Sequence, residues 1–349
     1  MKHVDYIIVG CGLAGVAFCE QLRNAQKSFV IYDDQSQQSS IVAAGLYNPV
    51  ILKRFTEVWK AKEQLALAIP FYTKIEEEFK VKLNYPLPVY RRFASVEEQN
   101  EWFTASDKPS LQDFLSTQLI KNVNPSISAP YGFGKVKETG RVDTASLLIH
   151  YKKYLIENHQ YLNETFDYEE LNVSDSNVVY KSITANCIIF AEGFGMIHNP
   201  YFKDLPLNVA KGEVLTIKAP NLNIDFILKS SIFIIPMGDD LYTVGATYDW
   251  KDKTHTISVE AKDELVSKLK QVVKCDFEVV HQVAGIRPTV KDRRPLVGLH
   301  PKHQNMAILN GLGTRGVMLA PFLAKQLFEH LDSGKPLDTE IDIKRFKNL

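Results

Sequence analysis

The chain has 349 residues, enough for two domains and a sizeable core. Hydrophobic residues make up 45% and charged ones 23%, the balance of a folded globular protein, which excludes a disordered or fibrous chain. Lys plus Arg equal Asp plus Glu at 41 each, so no global field draws the molecule to nucleic acid or to an anionic membrane; only a local basic patch remains open.

Taken in chain order, Val4 to Val9 is a short apolar β-rich run ending in glycine, as a buried parallel strand would. Leu13, Val16, Ala17 and Leu22 then space an apolar face for a helix, Leu13 to Arg23, that packs on a sheet. Phe29 to Tyr32 is a second buried strand, closed by Asp33 and Asp34. A polar loop, Gln35 to Ser40, and a small-residue stretch, Val42 to Gly45, follow. Glu57 to Phe79 predicts a long helix broken at Pro70, because proline removes a helical hydrogen bond. Tyr85 to Ser95 has strand character, with Pro86 and Pro88 confining its start to a sheet edge. The segment 96–139 is mixed and turn-rich.

Val142 to Asn158 predicts an amphipathic helix, and Val178 to Ile189 a hairpin leading into a buried strand, Cys187 to Ala191, that stops at Gly193. From 206 to 250 the pattern is repeated β: Glu213 to Ile217, Phe226 to Leu228, Ile232 to Ile235 and Leu241 to Ala246. Val259 to Val273 reads as helix, Met306 to Asn310 as a buried strand, and Val317 to Leu331 as a final long helix. No internal repeat or flexible linker interrupts the chain. The interleaving of α/β and β-rich stretches predicts a sheet assembled from three sequence segments, with a second lobe inserted twice.

Cysteines stand at 11, 19, 187 and 275. None forms a C-x-x-C pair, and their spacing gives neither a disulfide framework nor a zinc site, so four reduced thiols and no metal are expected. Ile8-Val9-Gly10-Cys11 imitates a lipoprotein cleavage box, but Asp5 interrupts an apolar run already too short for a signal segment. No stretch approaches the run of about 20 apolar residues that a membrane helix requires. The sequence reads as a soluble, cytoplasmic protein with no membrane partner.

Gly10-x-Gly12-x-x-Gly15 has a mechanical reason for each glycine. The first permits a tight strand-to-helix turn, the second lets backbone approach a pyrophosphate, and the third allows close helix–strand packing. The helix N-terminus, at Leu13 and Ala14, offers N–H groups and a positive dipole end to phosphates. Asp33 ends the second strand, where a carboxylate can accept ribose hydroxyls, with Asp34 as its neighbour. Strand, turn, helix, strand and acid together predict a dinucleotide site, and they leave FAD and NAD(P) both open.

The chain resembles the FAD-dependent D-amino-acid oxidase-like superfamily of amine oxidases. The resemblance is carried in order by Gly10–Asp33, by Ser40-Ile41-Val42-Ala43-Ala44-Gly45, by Gly140-Arg141-Val142-Asp143, by Ile188-Ile189-Phe190-Ala191-Glu192-Gly193, and by Gly285-Ile286-Arg287-Pro288 with Gly311-Leu312-Gly313-Thr314-Arg315-Gly316. Within it, Gly45-Leu46-Tyr47-Asn48-Pro49 and Leu312–Gly316 followed by Ala320-Pro321 are most similar to the oxidoreductase domain of tRNA wobble-uridine modifying enzymes. The resemblance implies an α/β fold: a Rossmann-like FAD-binding domain from 1–84, 140–205 and 282–349, with an inserted, mainly antiparallel β-sheet substrate domain from 85–139 and 206–281. It implies FAD as cofactor and oxidation of the C–N bond of an amino acid or secondary amine by hydride transfer to flavin N5. A tRNA substrate and a non-catalytic FAD-binding role are the alternatives.

The same resemblance places Ser40, Ala44, Gly45, Ala191 and Gly193 against the cofactor, with Gly311, Gly313, Thr314, Arg315 and Gly316 beside the flavin ring. The helix starting at Val317 would point its positive end at the ring, where charge develops on reduction. Arg287 is expected to bind the substrate carboxylate, since a guanidinium offers two parallel donors; the competing reading pairs it with Asp292. Arg315 would contact substrate or flavin, or only tie down its loop. Tyr248 and Trp250 would wall the pocket. Phe233 stands where glycine-oxidase-like members carry a substrate-contacting tyrosine, a departure that removes a hydroxyl. Lys291, Arg293 and Arg294 would be the first phosphate contacts if the substrate were RNA.

Overall fold

The computed structural model describes residues 2–346; Met1 and 347–349, which the sequence-based ranges include, lie outside it. Two eight-stranded sheets organise the molecule. The first is centred on Lys2–Val9, which pairs in parallel with Phe29–Tyr32 on one side and Ile183–Phe190 on the other. The far edge of Ile183–Phe190 is shared. Its first half pairs antiparallel with Val178–Tyr180, and its second half runs parallel to Met306–Asn310. Chain segments that lie almost 300 positions apart therefore meet in one sheet.

Ile7, Ile8, Ile31, Ile188 and Ile189 in this sheet are wholly buried. Each such side chain stabilises the fold by roughly 1.5–3 kcal/mol relative to exposure. Helices Leu13–Asn24, Ala61–Phe79 and Gly316–Ser333 pack together over one face. Thr144–Glu157 joins the same core through Leu147, Tyr151 and Leu155; it starts two residues later than the expected Val142, which lies in a strand, because Asp143 caps it, accepting from the Ser146 N–H at 3.0 Å.

The second sheet runs in the order Glu278–Arg287, Ala210–Lys218, Leu241–Gly245, Phe233–Gly238, Ile227–Lys229, Val89–Arg92, Phe133–Val136, Leu115–Ile120. All its pairings are antiparallel except that of Ile227–Lys229 with Val89–Arg92. A three-stranded sheet of Leu46–Tyr47, Gly140–Val142 and Asn84–Pro86 lies between the two in sequence.

Several local expectations change. Ala61–Phe79 is one helix that continues through Pro70. The carbonyl released by that proline belongs to Ala66, and both residues are exposed, so water can satisfy it. Pro321 lies inside Gly316–Ser333 in the same way, but in the core; there the buried Tyr72 hydroxyl donates to the Val317 carbonyl at 2.9 Å, supplying the bond the proline cannot. The turn-rich segment 96–139 contains the helix Val96–Ser106, capped by Ser95, and two strands. The expected strand 85–95 divides: Asn84–Pro86 is an edge strand, whereas Val89–Arg92 lies inside the second sheet. All four cysteines are free. Among the described residues no helix is long and apolar enough to cross a membrane.

Candidate active site

A cavity of about 610 Å³ opens between the C-terminal ends of the first sheet's parallel strands and one face of the second sheet. At its nucleotide-like end, Gly10 adopts φ +100°, and a Cβ there would stand 2.5 Å from the Ala191 carbonyl oxygen. Only glycine lets the first strand turn this close to its neighbour. Gly15 does not line the cavity; it faces the Gly10 carbonyl so closely that any Cβ would overlap it, which holds the helix against the turn. Gly12 caps Leu13–Asn24 without a side-chain bond, and the Leu13 N–H donates to Ser40 Oγ at 3.2 Å. That helix N-terminus, with Gly12, Leu13 and Ala14, faces the cavity.

Asp33 accepts from the Cys11 N–H at 3.2 Å and from the Tyr161 hydroxyl at 2.9 Å, which fixes its carboxylate at the cavity wall. Asp34 lines the same end. Burial pushes its carboxyl up, but hydrogen bonds from the Ser36 and Thr165 side chains and from the Ser36 N–H outweigh this and hold it below the usual range. Ala44 and Gly45 form a small-residue wall. Gly45 has φ +71°, and its carbonyl accepts from the Val142 N–H at 2.9 Å.

Glu192 carries no signal in the sequence beyond its place in the Ile188–Gly193 stretch. It lies between Ala191 and Gly193, both cavity-lining, and its buried carboxyl accepts from the Tyr168 hydroxyl and from Asn199 Nδ2 at 2.7 Å. Burial pushes its pKa up to about 7 against the pull of those two donors.

At the opposite end the distal loop approaches. Gly313, Thr314, Gly316 and Val317 line the cavity. Gly311 and Arg315 do not. Gly311 shapes the turn instead, with φ +74° and Val290 Cγ2 2.5 Å from where a Cβ would be. The final helix begins at Gly316, so its N-terminus is directed at this end as expected, one residue early. Arg315 caps it, and burial lowers the pKa of a guanidinium that has no acidic partner among the described residues.

Arg287 lies on the cavity face of Glu278–Arg287. Its guanidinium packs against Gly212, where any Cβ would overlap it, and donates to the Thr247 carbonyl at 3.2 Å and the Lys211 carbonyl at 3.5 Å. The Tyr248 ring stands 4.4 Å from its Cζ, and Tyr248 itself is exposed and stacked on Trp250 at 6.4 Å. Asp292 is not its partner: that carboxylate pairs with Arg345 at 2.8 Å. Burial lowers the Arg287 pKa, and no carboxylate among the described residues relieves it. Arg294 pairs with Glu340 at 2.8 Å, so it is engaged within the chain.

The residues present fit FAD: a helix N-terminus with a glycine turn would take the pyrophosphate, the acids the ribose, the small-residue wall the flavin, and the second helix N-terminus the ring edge. A family model described as FAD dependent oxidoreductase matches residues 5–330. The chain therefore belongs to the FAD-dependent oxidoreductase family, with FAD as cofactor. It is 28% identical over 176 residues to the bifunctional tRNA 5-methylaminomethyl-2-thiouridine biosynthesis protein of Azoarcus sp. (strain BH72), covering 44% of this chain and 28% of that protein. Glycine oxidase of Bacillus subtilis (strain 168) is 29% identical over 148 residues, covering 40% of this chain and 39% of that one. The matched segments thus span well under half of either relative. The crystal structure of glycine oxidase from Geobacillus kaustophilus superposes with a TM-score of 0.80 at 19% identity over 98% of both chains, so the fold is shared throughout.

Proposed function

We propose that this FAD-dependent oxidoreductase oxidises the C–N bond of a small amino acid or carboxylate-bearing secondary amine, with Arg287 holding the carboxylate. The observation that carries this reading is the Arg287 guanidinium: half-buried, turned into the cavity, and bonded only to backbone carbonyls. A cation partly withdrawn from water without a counter-ion is destabilised, and a substrate carboxylate offsets that cost. Bound FAD would supply the hydride acceptor at its N5 atom.

The chain's own residues then do the positioning. Arg287 fixes one end of the substrate, Tyr248 shields the guanidinium from water, and the Gly316–Ser333 N-terminus would stabilise negative charge on the bound cofactor when it is reduced. Gly10, Gly12, Ala14, Asp33 and Ser40 hold the nucleotide, and Ala44, Gly45, Ala191, Gly193 and Gly313 the remainder. In this reading 1–84, 140–205 and 282–349 form the cofactor domain and the rest the substrate domain. Four free cysteines support a cytoplasmic setting.

A tRNA substrate is the second reading, favoured by the exposed Tyr248–Trp250 stack beside the cavity, on which a nucleobase could lie. Anaerobic mixing with amino acids, secondary amines and carboxymethylaminomethyl-bearing tRNA separates the readings. Bleaching of the flavin bands by small amines, with KM raised about 100-fold by Arg287→Met, supports the first. Bleaching by tRNA alone supports the second, and no bleaching by either a non-catalytic role.

A further inference from the structure

Among the described residues, Arg287 is one of two cations of the second sheet that line the cavity. The other is Lys229, at the end of Ile227–Lys229. The register places it there. Lys229 lies opposite Phe233, Phe233 opposite Gly245, and Gly245 opposite Val214. Directly paired residues share a face of a sheet, and all four of these line the cavity. Its Nζ stands 4.3 Å from the centre of the Phe233 ring. No carboxylate among the described residues pairs with it, and the charges that act on it are the cations Arg91 and Lys268. Arg91 is itself committed to Glu98 at 2.5 Å. Burial first, and those cations second, push the Lys229 pKa down to about 8. The acids that line the cavity, Asp33, Asp34, Glu164 and Glu192, belong to its nucleotide end on the first sheet and the adjoining loops.

The two cations cannot grip one carboxylate. Arg287 leans over Gly212 on Ala210–Lys218, and Lys229 leans over Phe233 on Phe233–Gly238. One strand, Leu241–Gly245, separates those two. Two strand spacings of ~4.8 Å, combined with the two-residue offset between Gly212 and Val214, put the heads roughly 12 Å apart. Between them the floor is opened by Gly245, so a chain of several bonds can lie across it.

We propose that Lys229 forms a second anion subsite, so that the substrate is an amine carrying two anionic groups several bonds apart, one at Arg287 and one at Lys229. This rests on the amine-oxidase reading above and narrows it from amino acids in general to those with a distal carboxylate. Phe233 serves the subsite directly: its ring supports the ammonium by a cation–π contact where a tyrosine would add a competing hydroxyl.

The test is titration of the FAD-loaded protein with monocarboxylates and α,ω-dicarboxylates of matched chain length, butyrate against succinate and valerate against glutarate. Perturbation of the visible flavin bands and the heat of binding are both read. In wild type the dicarboxylates bind roughly 10- to 100-fold tighter, the range for one added charged hydrogen bond. Lys229→Met and Lys229→Gln collapse that ratio to about one, whereas Arg287→Met weakens both ligand types. Both Lys229 variants remove a half-buried charge with no acidic partner among the described residues, so an unchanged or raised Tm accompanies the loss. A ratio near one in wild type overturns the proposal, as does a ratio that survives in the variants. Loss of FAD in both Lys229 variants also overturns it, because the lysine would then serve the cofactor. If no carboxylate binds wild type at all, the Arg287 reading fails first and takes this one with it.

Discussion

Gly212→Ala tests the position of the Arg287 guanidinium without touching the arginine. A Cβ at 212 would lie well under 3.0 Å from Nη1, Nη2 and Cζ of Arg287, against an optimum of ~3.5–4.0 Å for non-bonded atoms. The guanidinium must therefore move by roughly 1.5–2 Å. It is the far end of a flexible side chain, and Gly212 lies in an ordinary strand, so the fold should absorb the change and Tm should shift by no more than a few degrees. The bonds to the Thr247 and Lys211 carbonyls, at 3.2 and 3.5 Å, have no slack for such a shift. A charged hydrogen bond contributes ~1.5–3 kcal/mol, so carboxylate affinity should fall ~10- to 100-fold. The assay is titration of the FAD-loaded protein with a carboxylate inhibitor, followed in the flavin bands, in four proteins: wild type, Gly212→Ala, Arg287→Met and the double variant. In the Arg287→Met background the alanine should cost nothing further, because the group it displaces is gone. Equal losses in both backgrounds would refute the reasoning, since Gly212 would then act through the cavity wall itself; so would full affinity in Gly212→Ala at unchanged Tm.

Two other predictions concern the cofactor end. Gly15→Ala drives a methyl group into the Gly10 carbonyl, a backbone atom that cannot swing aside, and should lift the helix Leu13–Asn24 off its turn. The expected outcome is protein purified with less than about a tenth of the wild-type FAD absorbance, a loss of the ~1.4 kcal/mol or more that a tenfold affinity change represents. Glu192→Gln addresses pH. The folded pKa of Glu192 is raised from 4.5 to about 7, so its contribution to stability is fully present below pH 4.5 and is lost as pH rises through 7. At ~1.4 kcal/mol per unit the effect approaches about 3 kcal/mol. Wild type should therefore lose Tm between pH 5 and 8, while Glu192→Gln, which stays neutral, loses less; parallel Tm curves would contradict the assignment.

The parts legible in the sequence are those whose chemistry is local. Gly10, Gly12, Gly15 and Asp33 declare a turn, a helix start and a strand end within a couple of dozen positions, and the structure builds all of them at one cavity end. Met306–Leu309 is an unbroken apolar run ended by Asn310, and the strand has the expected bounds, Met306–Asn310. Lys229 and Glu192 were not legible, because what marks them is tertiary. A lysine at a strand end looks solvated until the register turns it under Phe233, and a glutamate in an Ala-x-Gly turn looks exposed until Tyr168 and Asn199 close over it. The helix through Pro70 is hidden for a related reason: only the fold shows that Ala66 and Pro70 are exposed, so that water can satisfy the freed carbonyl. The helix Val96–Ser106 did leave a signal, the capping pattern Ser95-x-x-Glu98, in which Ser95 Oγ accepts from the Glu98 N–H at 3.3 Å.

The central claim is that FAD held in this cavity takes electrons from a carboxylate-bearing amine. Its most direct test is the visible spectrum of the purified protein under anaerobic conditions, before and after addition of a panel of amino acids and secondary amines. The expected result is oxidised-flavin bands at about one FAD per chain that bleach with at least one carboxylate-bearing amine, and after Arg287→Met bleach only at far higher concentrations of that amine. A colourless protein that takes up no FAD, or flavin bands that bleach as readily with amines lacking any carboxylate, would contradict it.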